Sequence, residues 1–234
     1  RERELHNMIV QYETLKANNQ SPYMDGDQLA DIADQYASER RFKEAQEVIS
    51  YGLGLHPGHT DLMVEQAYLY LDTMKLQKAK NVAECITETY ETEVKLLKAE
   101  ILLNEGNLDE AEKLLDSIED KESLNTILDV SYLYMDMGYP EKALSWLTLG
   151  IEEYKEEEDF LAAMADCYRS GDHDEQAIYI YNKLIDKNPY DPSYWTGLAK
   201  SHFNRQEFEK TIEACDFALA ADENFGEAHL MKAH

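Results

Sequence analysis

Residues 170–175 read SGDHDE, with two aspartates, a histidine and a glutamate in four consecutive positions after a glycine. Oxygen and imidazole donors at that density could hold a divalent cation. The spacing argues against it, because an EF-hand loop needs glycine where Ala177 stands and a bidentate glutamate where Lys183 stands. His56 and His59, followed by Asp61, have the H-x-x-H spacing of a zinc motif, but they lie in a Pro-Gly turn, HPGHTD, and not on one helical face. No metal site is expected there. Cys85, Cys167 and Cys215 are far apart and lack C-x-x-C spacing, so they read as three buried thiols at inward-looking helical positions. No glycine-rich phosphate loop follows a strand, no nucleophile sits beside an obvious base, and no carboxylate pair has a pocket the sequence can specify. The residues therefore predict no catalysis and no cofactor.

What must position these residues is a set of helices. Of 234 residues 44% are hydrophobic, while Gly and Pro together number only 15, a balance that favours helices joined by short turns. No apolar run is long enough to insert into a bilayer. The formal charge of -26, from 48 acidic against 22 basic residues, repels nucleic-acid phosphates and anionic lipid headgroups. Direct nucleic-acid binding is disfavoured, and a basic partner is favoured. The compartment is left open by the residues, with the cytoplasm favoured.

A period organises the chain. Ala45, Ala79, Ala111, Ala143 and Ala177 each follow a short polar turn at spacings of 34, 32, 32 and 34 residues, and Thr211 comes 34 further on. A second series runs twelve residues ahead of the next member of the first: Ala33, Ala67, Ala99, Ser131, Ala165, Ala199 and Ala233. Three residues after each of its first six members stand Tyr36, Tyr70, Leu102, Tyr134, Tyr168 and His202. Small residues at fixed intervals let helices approach closely, and a large residue one turn later fills the groove beside them. Turns such as NEGNLDEA (104–111) and DMGYPEKA (136–143) put glycine at a helix C-terminus and an acidic residue at the next helix start. HPGHTD (56–61) and KNPYDP (187–192) close the second helix, which should run about fourteen residues.

These features resemble the tetratricopeptide repeat family, whose pattern is W-x2-L-G-x2-Y, then A-x3-F, then P. The best single match is Trp195, Leu198, Ala199, His202, Thr211, Cys215 and Ala218, where the tyrosine and the second alanine are replaced; the unit before it carries Ala165, Tyr168, Ala177, Tyr181 and Pro189. Six repeats are expected, at 26–59, 60–91, 92–123, 124–157, 158–191 and 192–225. The two 32-residue units are expected to be shortened in the turns at 87–93 and 118–123. Residues 1–25 place Leu5, Met8, Ile9, Tyr12 and Leu15 on one helical face and read as the second helix of a truncated preceding repeat plus linker, and 226–234 as the start of a seventh repeat or capping helix. The chain thus reads as a piece of a longer one. The resemblance implies an all-α, right-handed superhelical solenoid of antiparallel helix pairs. SGDHDEQA becomes a turn and helix start within it. Its glycine lies one residue further from its alanine than in the sister turns, and Asp174 replaces the apolar side chain of Phe42, Leu76, Leu108 and Phe208, so it should be the loosest of these turns.

In such arrays first helices line a concave groove. The residues expected to face it are Asp31, Asp34, Glu65, Tyr68, Glu100, Asn104, Asp129, Tyr132, Asp136, Asp166, Lys200 and Phe203. One subgroup of the family grips acidic C-terminal tails with lysine, arginine and asparagine, and here carboxylates stand where those cations are needed. The expectation is a non-catalytic scaffold that binds a basic or amphipathic protein segment, with Tyr68 and Tyr132 in cation-π contact with its Lys or Arg side chains. The competing reading of the same stripe is a solvated face that only keeps the array soluble. Two other outcomes are a regulatory or sensing arm of a larger enzyme or transcription regulator, and self-association through apolar helix faces at the array's ends.

Overall fold

A small residue buried at each helix crossing sets the architecture. The computed structural model describes residues 2–18, 20 and 23–232, and among them it has fourteen α-helices and no strand. After α1 (Glu2–Ala17) the helices pair: α2 (Gly26–Ser38) with α3 (Phe42–Leu55), α4 (Thr60–Asp72) with α5 (Leu76–Glu84), and α6 (Thr92–Asn104) with α7 (Leu108–Asp116). The pairs continue as α8 (Leu124–Asp136) with α9 (Pro140–Tyr154), α10 (Glu158–Ser170) with α11 (Asp174–Lys187), and α12 (Pro192–Asn204) with α13 (Phe208–Ala221), followed by α14 (Gly226–Lys232).

The chain divides into two compact units, Arg1–Glu119 and Asp120–His234. In the first, α4 packs on both α2 and α3, α6 packs on both α4 and α5, and α1 lays Tyr12 into the core beside Leu29, Ile32 and Tyr36. In the second, α10 packs on α8 and α9, and α12 on α10 and α11. Ala33, Ala67, Ala99, Ser131, Ala165 and Ala199 are fully buried, as are Ala45, Ala79, Ala111, Ala143 and Ala177; Thr211 is nearly so, and Ala233 lies outside the described residues. Where serine replaces alanine, the Ser131 hydroxyl donates to the Ala143 carbonyl at 3.4 Å, so the small polar group is not left unpaired.

Six turns between paired helices share one hydrogen-bond pattern. The residue five before each recurrent alanine or threonine is left-handed: Arg40, Met74, Gly106, Gly138, Asp172 and Gln206, with φ between 59° and 81°. The amide after each of these donates back across the turn, Arg41 to Tyr36, Lys75 to Tyr70, Asn107 to Leu102, Tyr139 to Tyr134, His173 to Tyr168 and Glu207 to His202, at 2.7–2.9 Å. The left-handed residue itself donates to the carbonyl three before it. These are Schellman motifs, and they give the aromatic series a second job. Tyr36 takes the Arg41 guanidinium at 4.2 Å from its ring centre, Tyr134 packs edge-on to Tyr139, Tyr168 edge-on to His173, and His202 Nδ1 meets Glu207 at 2.6 Å.

In the SGDHDEQA turn the left-handed residue is therefore Asp172 and not Gly171, whose φ is -94°. That turn carries the same pair of hydrogen bonds as its sisters, and Asp174 accepts from Asn204 at 3.1 Å. A left-handed side-chain-bearing residue costs about 1 kcal/mol that glycine avoids. Met74 is almost fully exposed, so Met74→Gly should raise stability by about 0.5–1 kcal/mol, whereas Gly106→Ala should lower it by about 1 kcal/mol in urea unfolding.

Two expectations are corrected. The 32-residue units are shortened in the second helix and not in the turn between repeats: α5 and α7 have nine residues each, against 14 or 15 in α3, α9, α11 and α13. The connections after them, 85–91 and 117–123, are correspondingly longer, and each drops a buried isoleucine, Ile86 or Ile118, into the core in place of a last helical turn. Lys95 closes the end of α7 by donating to the Ser117 carbonyl at 2.7 Å, a cation placed at a helix C-terminus. The second correction follows from the first. Cys85 is exposed, because α5 ends at Glu84 and leaves it outside the buried stripe, while Cys167 and Cys215 are buried.

Candidate functional site

On the first helices, positions two before and one and five after the small residue share a stripe, as three- and four-residue steps require. In the first unit this aligns Asp31 and Asp34 of α2, Glu65, Tyr68 and Asp72 of α4, and Glu100 and Asn104 of α6. Asn104 spends its side-chain amide on the Glu100 carbonyl at 2.9 Å. Glu65 is half-buried and makes no hydrogen bond or ion pair among the described residues. Burial first, then the charges of Asp34, Glu93, Asp61 and Asp31, push its carboxyl up to about 8. Asp34 keeps contact with water yet is crowded by protein, and together with the Asp31 charge this raises its carboxyl too. Asp72 is raised by the same crowding, with Arg40 opposing. Asp34, Glu65, Tyr68 and Asp72 converge on a cavity of about 500 Å³ with Arg40 and Phe42 at its edge.

In the second unit α8 presents Asp129, Tyr132 and Asp136. Desolvation raises the carboxyls of Asp129 and Asp136, and moves the Tyr132 phenol to about 12 with help from Asp166, Asp159 and Asp136. Asp166 is already engaged inside the array: the Tyr181 hydroxyl donates to it at 2.6 Å and the Arg169 guanidinium lies at 3.3 Å. Lys200 is paired with Glu227, and Phe203 is exposed and packs edge-on to Phe208 at 5.9 Å. The twelve residues named from sequence thus fall into unequal roles. Asp34, Glu65 and Tyr68 come together in one unit and Asp129, Tyr132 and Asp136 in the other, whereas Asp166 and Lys200 are committed to internal partners.

No protein-family model matches the sequence, and no curated protein matches it. Solved structures do. A tetratricopeptide repeat protein from Parabacteroides merdae superposes with TM-score 0.65 at 14% identity, over 98% of this chain and 97% of that one. The fold is that of a tetratricopeptide repeat protein. A thermophilic protein of the same kind from Thermus thermophilus gives 0.61 at 16% identity over 76% and 99% of the two chains. YrrB, a tetratricopeptide repeat protein described as having an unusual peptide-binding site, gives 0.50 at 11% identity over 80% and 98%.

Within this tetratricopeptide fold, sequence reading missed Asp72, Arg40 and Phe42. Asp72 had a signal, since it stands five after its alanine as Asn104 and Asp136 do after their small residues. Arg40 and Phe42 had none, because a turn residue and the first residue of a second helix reach a first-helix face only through the folded Schellman geometry. His56 and His59 also separate. His56 Nε2 meets the Met24 carbonyl at 2.9 Å, while His59 Nε2 pairs with Asp27 at 3.1 Å beside Asp61. The buried His59 Nδ1 has no hydrogen-bond partner, so a metal on Nε2 would strand a buried N–H, and the contact reads as a hydrogen bond from the neutral ring's Nε2–H to the Asp27 carboxylate. Among the described residues no helix is long and apolar enough to cross a membrane.

Proposed function

We propose that the chain is a non-catalytic protein-interaction scaffold whose acidic first-helix faces hold a basic or amphipathic segment of a partner. One observation carries the reading. Asp34, Glu65, Asp129 and Asp136 stand on first-helix faces with no hydrogen bond or ion pair to relieve them among the described residues, and Glu65 is half-buried in a cavity it shares with Asp34 and Asp72. A carboxylate kept only for solubility would sit where water solvates it, and the half-buried Glu65, among the like charges of Asp31, Asp34, Asp61 and Glu93, does not. Several of the chain's cations are paired away from these faces: Arg41 on Glu13, Glu39 and Glu44, Lys80 on Glu105, Lys187 on Glu156, and Arg205 on Glu175 and Glu207. Asp34, Glu65, Asp129 and Asp136, unpaired among the described residues, are left to be neutralised from outside. The peptide-binding site of the structurally similar YrrB is consistent with this use of the fold.

The test is a lysine-rich amphipathic helical peptide titrated into the chain over a salt series. Glu100→Lys and Asp129→Lys together should weaken binding by about tenfold or more at low salt and flatten the salt dependence. Equal binding by the double variant at low salt would overturn the reading.

A further inference from the structure

The cavity beside α2 and α4 is more specific than an acidic surface. Asp34, Glu65 and Asp72 supply three carboxylates, while Tyr68 and Phe42 supply aromatic edges. One cation is already at its rim: the Arg40 guanidinium lies 5.9 Å from the centre of the Phe42 ring and acts on Asp72. It shows which chemistry this wall accommodates, a planar cation against an aromatic ring and a carboxylate. Arg40 leaves Asp34 and Glu65 without a cation. The charged groups acting on Glu65 are Asp31 and Asp34 of α2, Glu93 of α6 and Asp61 of its own helix, all of one sign. A half-buried carboxylate in such company is stabilised only by a proton or by a cation brought to it.

We infer that this cavity is the seat of one cationic side chain of the partner, a lysine ammonium or an arginine guanidinium, held between Asp34 and Glu65 with Tyr68 alongside. The inference rests on the proposed function and narrows it to one socket. A volume of about 500 Å³ is on the scale of small-ligand pockets and admits a whole side chain with its stem. Because the Glu65 carboxyl titrates at about 8, the socket holds a proton at neutral pH. Seating the cation releases that proton to solvent. Binding should therefore strengthen as pH rises towards 8 and weaken by about tenfold per unit below it, a trend opposite to any that protonation of the lysine or arginine itself would give.

The experiment follows backbone amide chemical shifts of the whole chain during titration with N-acetyl-lysine methylamide, N-acetyl-arginine methylamide and, as an uncharged control, N-acetyl-norleucine methylamide. Saturable shifts at Asp34, Glu65, Tyr68 and Asp72 at pH 8.5, at least tenfold weaker at pH 6 and absent with norleucine, are the expected result; the relative affinities of the lysine and arginine probes name the preferred cation. Glu65→Gln should abolish them, and Asp34→Asn should weaken them several-fold. Shifts spread evenly over Asp129, Asp136 and the other acidic positions, or saturation unaffected by Glu65→Gln, would overturn the socket. If Glu100→Lys with Asp129→Lys abolishes capture of the lysine-rich peptide while Glu65→Gln leaves it intact, the socket fails and the proposed function stands. If neither change affects capture, both fail.

Discussion

Glu65→Gln should make the first unit more stable at pH 8.5, by about 2–4 kcal/mol, and change little at pH 4. The sign follows from linkage. The Glu65 carboxyl is held at about 8 in the folded chain against an ordinary value of 4.5, so the folded state binds this proton more tightly than the unfolded one. The stabilisation from the protonated carboxyl is complete below pH 4.5 and is lost as pH rises through 8. At about 1.4 kcal/mol per pH unit, the whole window sets an upper bound of roughly 5 kcal/mol, which contact with water reduces. Glutamine keeps the shape and never ionises, so the variant escapes that loss. Thermal unfolding of both chains between pH 4 and 9 is the check, and parallel curves would show that Glu65 ionises normally. The same substitution is the one expected to empty the cation socket, so stability and binding should move in opposite directions, as they do where a destabilising group is kept for use.

Gly197→Ala should cost about 2–4 kcal/mol, although alanine for glycine inside a helix ordinarily gains up to about 1 kcal/mol. A β-carbon at position 197 on α12 would stand 2.3 Å from Cε1 and 2.4 Å from Cζ of Tyr181. Tyr181 cannot swing away without loss, because its ring is 2% exposed and its hydroxyl donates to Asp166 at 2.6 Å. Displacing it combines overpacking of a filled site with loss of a hydrogen bond to a carboxylate. Gly54→Ala on α3 is the control, since nothing lies within 4 Å of its added carbon and it should gain about 0.5–1 kcal/mol. In a Tyr181→Ala background the cost of Gly197→Ala should vanish, and a cost that persisted there would place the conflict elsewhere.

Much of the fold was legible because close helix crossings demand small residues at fixed intervals, and Ala33, Ala67, Ala99, Ala165 and Ala199 stand in fully buried positions. What was not legible depended on where helices stop. The nine-residue length of α5 and α7 could not be read, since no residue type marks the early stop, and Ile86 and Ile118 plug the core from a connection where a last helical turn would otherwise do so. Cys85 was misplaced for that reason. The acidic stripe was visible as a pattern, but a pattern of identical letters hides unequal environments. Asp166 is tied down by Tyr181 and Arg169, which lie 15 and three residues away in the chain, whereas Asp34 and Glu65 share their cavity with Arg40 yet pair with no cation. The difference between a structural and an available carboxylate lies in neighbours that no helical period encodes.

The six Schellman turns bear on which residues can stand between paired helices. Their geometry is enforced by main-chain amides and carbonyls, so the left-handed position tolerates arginine, methionine, aspartate and glutamine as well as glycine, each at a modest energetic loss. A constraint written in the backbone leaves little imprint on residue identity. Repeats joined this way keep the register of each helix pair whichever of these residues stands at the left-handed position.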